Sequence, residues 1–307
     1  MTGTNNFKGT YFLGIFRLVV ALWVTFYFIS QSTAVEPSGL HKIRLISEKE
    51  ALSPFDDSAL VAIDIQLAPH WKTYWRSPGQ YGIPLKLAVV ESLNVAKIKT
   101  LWPAPTRYVD STFPSLSTIG YKDRLVLPLQ LLLNEKNEGA MVVLDVSFGV
   151  CFDMCIPVKE RIAITLPIGE PESTDDSNLI AEWLSRVASK EVPERFRIAA
   201  VSDPESTGNL LIAICYSDSD VQIDVFLEDL QKTSFATPLN FVSQSQNFRL
   251  YRATADANLT SKSAGIAPIA GTPITMTFVS KDHIYERNDV VNHFLPNTKD
   301  FCPDSTQ

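Results

Sequence analysis

The 307-residue chain has few basic residues, few cysteines and few glycines, and each shortage argues against a class of protein. Its 27 Lys and Arg residues stand against 34 Asp and Glu residues, which gives a net charge of −7. Because nucleic-acid binding depends on neutralising phosphates, this balance argues against nucleic acid as a partner. Four cysteines are too few for a disulfide scaffold, and 13 glycines beside 19 prolines favour β structure with rigid loops over a doubly wound sheet.

Motifs for binding phosphate, metal or a cofactor are also missing. The sequence has no Gly-rich phosphate loop, no HExxH motif and no Ser/His/Asp arrangement that spacing alone would nominate. Its histidines, which are His41, His70, His283 and His293, lack metal-ligand spacing. We therefore predict no cofactor, and none of these motifs or histidines indicates a metal site.

The N-terminal segment has the pattern of a secretory signal peptide. Lys8 and Arg17 precede an apolar stretch over residues 18–30, and small residues follow up to Ala34. We expect cleavage after Ala34, with an uncleaved anchor as the alternative. No later segment is long and apolar enough to span a bilayer, so the mature chain is expected to be soluble in an oxidising compartment, where disulfides persist.

Pattern and composition divide the mature chain into two predicted β domains. Residues 35–168 contain short period-two runs between proline-containing loops, which predicts an immunoglobulin-like antiparallel sandwich. A polar linker and an amphipathic helix follow over residues 169–192, strand-like runs return over residues 193–287 as a second, smaller β domain, and residues 288–307 form a tail. The fold class is therefore all-β, with one connecting helix.

A CxxxC cysteine pair lies between two predicted strands. Residues 141–150 alternate cleanly, so Cys151 leaves its strand on the polar face, and the next strand begins near Arg161. Four extended residues span about 13 Å whereas a disulfide needs Cα atoms about 5.5 Å apart, so a bond from Cys151 to Cys155 requires the loop to turn back. A redox-active pair, an inert staple and a metal site all remain open; redox activity is favoured because a small ring gains little loop-closure entropy and strained, exposed disulfides are labile.

The surroundings of the pair predict a thiol of modest reactivity. No amphipathic helix follows Cys155, so no helix dipole would stabilise a thiolate there. Lys159 and Arg161 could stabilise it, whereas Asp153 would oppose it. We expect a carrier that depends on a more activated partner.

Two further groups of residues have alternative interpretations. The aromatic residues Trp71, Tyr74, Trp75 and Tyr81 lie in a region bounded by Pro78 and Gly79, without a strand period, where proline argues against a central strand. They are interpreted either as a cap or partner-docking cluster for the disulfide, or as ordinary core packing. Cys215 lies in an apolar run and Cys302 in the tail, so Cys215 is either a buried small hydrophobe or the partner of Cys302 in a structural disulfide.

An ordered series of short motifs extends from Trp71 to Pro157. It comprises Trp71-Lys72-Thr73-Tyr74-Trp75-Arg76, Pro78-Gly79, Gly82-Ile83-Pro84, Trp102-Pro103-Ala104-Pro105, Gly120-Tyr121, Pro128 and Cys151 with Cys155-Ile156-Pro157. This series resembles the N-terminal periplasmic domain of the thiol:disulfide interchange protein DsbD, and the CxxxC spacing and the second β domain are closer to its ScsB-like relatives. The resemblance covers residues 36–168 well and residues 190–285 weakly.

This resemblance implies a periplasmic thiol-disulfide oxidoreductase of the protein-disulfide reductase type, with an immunoglobulin-like fold. Cys151 and Cys155 would be the redox pair, with Cys155 attacking and Cys151 resolving. Electrons would come from a separate membrane donor of the DsbD or CcdA type and pass through thioredoxin-like periplasmic proteins to oxidised proteins. The CxxxC spacing is narrower than in DsbD, which leaves the order of attack open.

Two other functions compete with this interpretation. Cys151, Met154 and Cys155 offer two thiolates and a thioether, soft ligands that suit a copper-handling protein binding Cu(I). Alternatively, both β domains could serve a non-catalytic binding module.

Overall fold

The period-two segments of the sequence fold into antiparallel strands. The computed structural model describes residues 39–79, 82–109, 117–192, 197–202, 209–215, 223–229, 240–245, 248–254 and 271–292, and those from Leu40 onward belong to one compact unit. The strands of the first β region are β1 (His41–Ser47), β2 (Ser58–Leu67), β3 (Lys72–Gly79), β4 (Lys86–Leu93), β5 (Val95–Thr100), β6 (Thr106–Val109), β7 (Ser117–Lys122), β8 (Arg124–Leu133), β9 (Ala140–Cys151) and β10 (Cys155–Leu166).

These strands form two sheets that share one core. One sheet has the order β1-β2-β8-β5; the other has the order β10-β9-β3-β7-β6, with β4 also paired to β9. The apolar face of β9, which the alternation predicted, is at most 1% exposed from Val142 to Val150 and packs with residues of β2 and β8. Burial of these apolar side chains supplies the main stabilisation. The predicted all-β, immunoglobulin-like fold is confirmed.

A short helix, α1 (Ser177–Leu184), follows the first β region. It buries Ile180 and Trp183 against the first core. The sequence predicted an acidic or hydroxyl cap at its start. Asp176 does occupy the N-cap position, but its side chain makes no capping hydrogen bond. Instead the carboxylate accepts two hydrogen bonds from Arg44 of β1, at 2.7 and 2.8 Å, so a long-range ion pair anchors the helix.

The second β region has its own core. Its described strands are β11 (Arg197–Ser202), β12 (Asn209–Cys215), β13 (Asp224–Asp229), β14 (Asn240–Ser245), β15 (Phe248–Thr254), β16 (Pro273–Val279) and β17 (Ile284–Val290). One sheet has the order β11-β12-β15-β14 and the other β13-β16-β17. Neither β14 nor β17 was among the predicted strands, and β17 continues past residue 287, where the sequence placed the start of the tail. The domain boundaries themselves stay predictions.

Strand β3 contradicts the prediction that the segment containing Pro78 and Gly79 is a loop. Pro78 lies within β3, between β9 and β7 in its sheet, and Tyr74 and Trp75 lie in the same strand. The register of β3 against β7 jumps from Tyr74 to Gly79. Because no ladder pair falls at residue 78, the missing N–H of proline breaks no ladder hydrogen bond there.

Membrane-spanning potential can be assessed only for the described part of the chain. No helix there is long and apolar enough to cross a membrane. The predicted leader, residues 1–34, lies outside the described residues.

Candidate active site

The two cysteines face each other across a tight hairpin. Cys151 ends β9, Cys155 begins β10, and the two are register partners. The backbone N–H of Phe152 donates to the carbonyl oxygen of Met154 at 3.2 Å, which closes the three-residue turn. The Cα atoms of Cys151 and Cys155 are 4.2 Å apart, close to the spacing of directly opposed antiparallel residues, and their sulfurs form a disulfide. The loop therefore turns back as pairing required.

The two sulfur-bearing residues differ in exposure. Cys151 is 4% exposed, whereas Cys155 is exposed. Both lie on the face of β9 and β10 opposite the first core, as the alternation of residues 141–150 predicted. Since exchange requires access to a sulfur, Cys155 is the more accessible member of the pair.

Tyr74 contacts the disulfide directly. Its hydroxyl lies 3.0 Å from Sγ of Cys155, and because a disulfide sulfur carries no hydrogen, the hydroxyl is the donor. Burial raises the pKa of Tyr74, so the phenol keeps its proton at neutral pH. The side chain thus presents a permanent donor to the sulfur that is more accessible.

Two glycines make room for the Tyr74 ring. A Cβ at Gly149 would lie 3.3 Å from Cε2 of Tyr74 and 2.8 Å from Cβ of Ile83. A Cβ at Gly82 would lie 2.7 Å from Cδ1 of the same ring. Any larger residue at these positions would displace the ring, so the glycines fix its approach to Cys155.

An exposed apolar tip adjoins the disulfide. Phe152 is 56% exposed and Met154 is 69% exposed, both in the turn between the cysteines. The ring of Trp71 lies 6.0 Å from the ring of Phe152, centroid to centroid. Trp71 itself is half-buried and packs against the first core, so Phe152 and Met154 are the exposed members of this group. We call Trp71, Phe152 and Met154 the apolar tip. Large apolar side chains exposed beside a reactive bond suit contact with a protein partner.

The basic residues after Cys155 are engaged elsewhere. Asp145 accepts a hydrogen bond from Arg161 at 2.7 Å, and Lys159 lies 3.3 Å from the same carboxylate. The hydrogen bond from Arg161 is the main reason that the pKa of Asp145 falls to about 2, with Lys159 contributing and burial opposing. Because Lys159 and Arg161 have a carboxylate partner, they give little activation to a Cys155 thiolate, in keeping with the predicted modest reactivity.

Comparison with known proteins bears directly on this hairpin. Residues 42–167 match the family model of the N-terminal domain of the thiol:disulfide interchange protein DsbD. This part of the chain is a DsbD N-terminal-like domain. The match includes β9, β10 and both cysteines. The domain is accordingly a thiol-disulfide interchange module that carries its disulfide at Cys151 and Cys155.

Solved structures extend the comparison beyond the family match. The chain is similar to the N-terminal periplasmic domain of ScsB from Proteus mirabilis, at 17% identity and a TM-score of 0.65, over 83% of this chain and 95% of that one. This likeness shows the fold. The C-terminal domain of the AgI/II polypeptide BspA from Streptococcus agalactiae aligns at 9% identity over 83% of this chain and 100% of that one, but its TM-score of 0.19 supports no argument. No curated protein matches the sequence.

The DsbD N-terminal-like domain gathers only part of the predicted aromatic cluster at its disulfide. Trp71 and Tyr74 lie there. Trp75 does not, because it points to the other face of β3 and is buried in the first core, so it is removed from the predicted cap. Tyr81 lies outside the described residues. Sequence reasoning did not single out Phe152, although an aromatic residue directly after the first cysteine of a short loop was a usable signal.

The sequence left open a second disulfide between Cys215 and Cys302. Cys215, at the end of β12, is disulfide-bonded rather than free. Its predicted partner Cys302 lies outside the described residues, so that pairing stays a prediction. In the described part of the chain, no group of three or more His, Cys, Asp or Glu residues could hold a metal ion.

Proposed function

We propose that the Cys151–Cys155 pair relays electrons in the periplasm, from a separate membrane donor to oxidised proteins, through thioredoxin-like partners. The family of residues 42–167 and the secretory pattern of the leader support this role and this location. The observation that carries the proposal is a disulfide whose more exposed cysteine, Cys155, accepts a hydrogen bond from Tyr74.

Reduction of the pair begins at Cys155. A donor thiolate attacks Sγ of Cys155, a mixed disulfide forms, and Cys151 leaves as a thiolate and takes up a proton. The second donor thiol then attacks the donor sulfur of the mixed disulfide and releases Cys155. The donor dithiol is oxidised to a disulfide, and the pair gains two electrons and two protons.

Delivery of the electrons runs through the same sulfur. The Cys155 thiolate attacks an acceptor disulfide and releases one acceptor thiolate, and Cys151 then attacks Cys155 to release the other. The acceptor is reduced and the Cys151–Cys155 bond forms again. In both directions Cys155 carries negative charge while it is free, and the Tyr74 hydroxyl is placed to stabilise that charge.

The apolar tip supplies a docking surface beside this sulfur. Burying Phe152 and Met154 against a partner removes apolar area from water at the point where the sulfurs must meet. Docking would therefore bring the partner's thiol to Cys155 before exchange begins.

Matched single-cysteine variants test the relay and its order. Cys151→Ala and Cys155→Ala are each loaded with thionitrobenzoate and mixed with a thioredoxin that retains only its attacking cysteine. We expect thionitrobenzoate release to be about tenfold or more faster from Cys155, because exchange depends on access and Cys151 is 4% exposed. Faster release from Cys151 would reverse the two roles. Failure of thioredoxin to react with either variant, when a small thiol does react, would overturn the relay.

A further inference from the structure

The strand that carries Tyr74 is weakly held by its own sheet. β3 pairs with β7 at Lys72, Thr73 and Tyr74, and pairing resumes only at Gly79. Its pairing with β9 is limited to Lys72 and Cys151. Among the described residues, none of residues 75–78 has a register partner. The segment directly after Tyr74 must therefore be fixed by side chains rather than by a backbone ladder.

Those side chains meet a single strand of the second β region. On β13, Val225 and Leu227 belong to the second core, so the alternate residues point the other way. These alternate residues are Asp224, Phe226 and Glu228, and each contacts the first β region. We call these three residues the β13 clamp.

The aromatic centre of the clamp holds Trp75. The ring of Phe226 packs against the ring of Trp75 at 5.6 Å in an edge-on arrangement, and both side chains are 1% exposed. Phe226 is in fact part of the first core although it lies in the second β region. Trp75 directly follows Tyr74, so this contact fixes the backbone next to the active-site hydroxyl.

The charged end of the clamp holds Arg76. Glu228 accepts hydrogen bonds from both Nε and Nη2 of Arg76, at 3.0 and 2.7 Å, and Glu286 of β17 accepts another at 2.5 Å. The guanidinium also lies 4.4 Å from the centre of the Trp75 ring. Two carboxylates on one partly buried arginine form charge-assisted hydrogen bonds, which are stronger and more directional than neutral ones.

The other end of the clamp does not touch β3. Asp224 accepts hydrogen bonds from Nε and Nη2 of Arg107 on β6, at 2.9 and 3.0 Å. This pair joins the same two regions as the Arg76 pair does, but on a strand that does not contact the cysteines. Arg107 also lies 4.8 Å from the centre of the Phe226 ring and donates to the carbonyl oxygen of Val225, and Asp224→Asn leaves both of these groups in place. The substitution is therefore a control for weakening one ion pair of the interface.

We propose that the second β region acts as a clamp on β3 that holds the Tyr74 hydroxyl against Cys155, with Trp75, Arg76 and the β13 clamp as positioning residues. This inference rests on the proposed exchange at Cys155 and assigns the second β region a part in it. Loosening the clamp lets residues 75–78 shift, lengthens the contact between Tyr74 and Cys155, and leaves the Cys155 thiolate less stabilised.

The test measures the thiolate fraction of Cys155 in a Cys151→Ala background, where the hairpin keeps a single thiol. The rate of iodoacetamide alkylation at neutral pH, divided by its plateau rate at alkaline pH, gives that fraction. The double variant Glu228→Gln/Glu286→Gln removes both negative charges that hold Arg76 without a change in side-chain size, so its charge-assisted hydrogen bonds are weakened. We expect a decrease of about twofold or more, because a charge-assisted hydrogen bond weakens as it lengthens. Asp224→Asn should leave the thiolate fraction of Cys155 within about 1.5-fold of the value in the Cys151→Ala protein.

A second comparison separates positioning from general destabilisation. In a Tyr74→Phe background, the double variant should cause no further decrease, since the hydroxyl it mispositions is already gone. An unchanged or increased thiolate fraction in the double variant would overturn the clamp. So would an equal effect of Asp224→Asn, or a decrease that persists without the Tyr74 hydroxyl. Alkylation needs no partner protein, so the clamp can pass this test even if exchange with thioredoxin fails.

Discussion

Replacing Tyr74 with phenylalanine isolates one hydrogen bond at the active site. The ring is 4% exposed and packs against Gly149 and Ile83, and phenylalanine keeps that packing. The substitution removes only the hydroxyl, which contacts Sγ of Cys155 at 3.0 Å. The substitution leaves no buried polar group without a hydrogen bond, because the acceptor residue Cys155 is exposed. We therefore expect the free energy of unfolding to change by less than about 1 kcal/mol.

The effect on the reduced thiol should be larger than the effect on folding. A hydrogen bond to a charged group contributes about 1.5–3 kcal/mol, but sulfur is a weak acceptor, so about 1 kcal/mol is a reasonable value for this one. That energy corresponds to a decrease of about fivefold in the thiolate fraction of Cys155 at neutral pH. Normalised iodoacetamide alkylation in the Cys151→Ala background measures it.

A second tyrosine provides the control. The hydroxyl of Tyr121 donates to the carbonyl oxygen of Pro103 at 2.7 Å, inside the first core and on the face of the sheet away from the cysteines. Tyr121→Phe leaves a buried carbonyl unpaired, so it should destabilise the fold by about 1–3 kcal/mol while leaving the Cys155 thiolate unchanged. The role of Tyr74 in stabilising the Cys155 thiolate is refuted if Tyr74→Phe leaves the alkylation rate of the Cys151→Ala protein unchanged. It is also refuted if Tyr74→Phe and Tyr121→Phe reduce the thiolate fraction equally.

Two further substitutions test the surroundings of the hairpin. Gly149→Ala places a Cβ 2.8 Å from Cβ of Ile83, so it should lower the free energy of unfolding by about 1–3 kcal/mol. Urea denaturation measures this change, and an unchanged urea midpoint would contradict the close approach of Gly149 to Ile83. The pKa of Asp145 is lowered from 3.8 to about 2, chiefly by Arg161, so its stabilisation is complete above about pH 4 and is lost as the pH falls through 2. Asp145→Asn should therefore flatten the loss of stability between about pH 4 and pH 2, and an unaltered acid profile would show that the pair contributes nothing.

The sequence predicted the first strand of the hairpin well because its signal was local. The alternation of residues 141–150 placed the apolar face and the direction in which Cys151 points. Period-two patterns of this kind depend only on neighbours in the chain. The second strand was predicted to begin near Arg161, whereas β10 begins at Cys155. Redox activity was favoured from the strain expected of a small ring, whereas the attacking and resolving roles of the two cysteines came from the resemblance to a family.

Sequence reasoning failed where residues far apart in the chain decide the structure. β3 was interpreted as a loop because Pro78 and Gly79 are loop residues, and only the register jump against β7 shows how a strand tolerates them. In β2, Asp64 occupies the polar position of a period-two pattern, yet it is fully buried, with hydrogen bonds from Arg44 and Arg124 at 2.9 and 2.8 Å.

The β13 clamp was missed for the same reason. Arg76 and Glu228 are separated by 152 positions, and nothing in the local pattern of either segment links the two. Pairings of this kind depend on how the two β regions pack, which periodicity does not reveal.

The hairpin that holds the disulfide limits how a partner protein can distinguish the oxidised from the reduced form. Cys151 and Cys155 terminate a continuous ladder that pairs β9 with β10 as far as Ala140 and Leu166, so the backbone already holds the two residues opposite each other. Breaking the bond opens a ring of only five residues and releases little chain entropy. We therefore expect the oxidised and reduced forms to share one backbone. A partner must sense the redox state from the sulfur atoms themselves, at close contact.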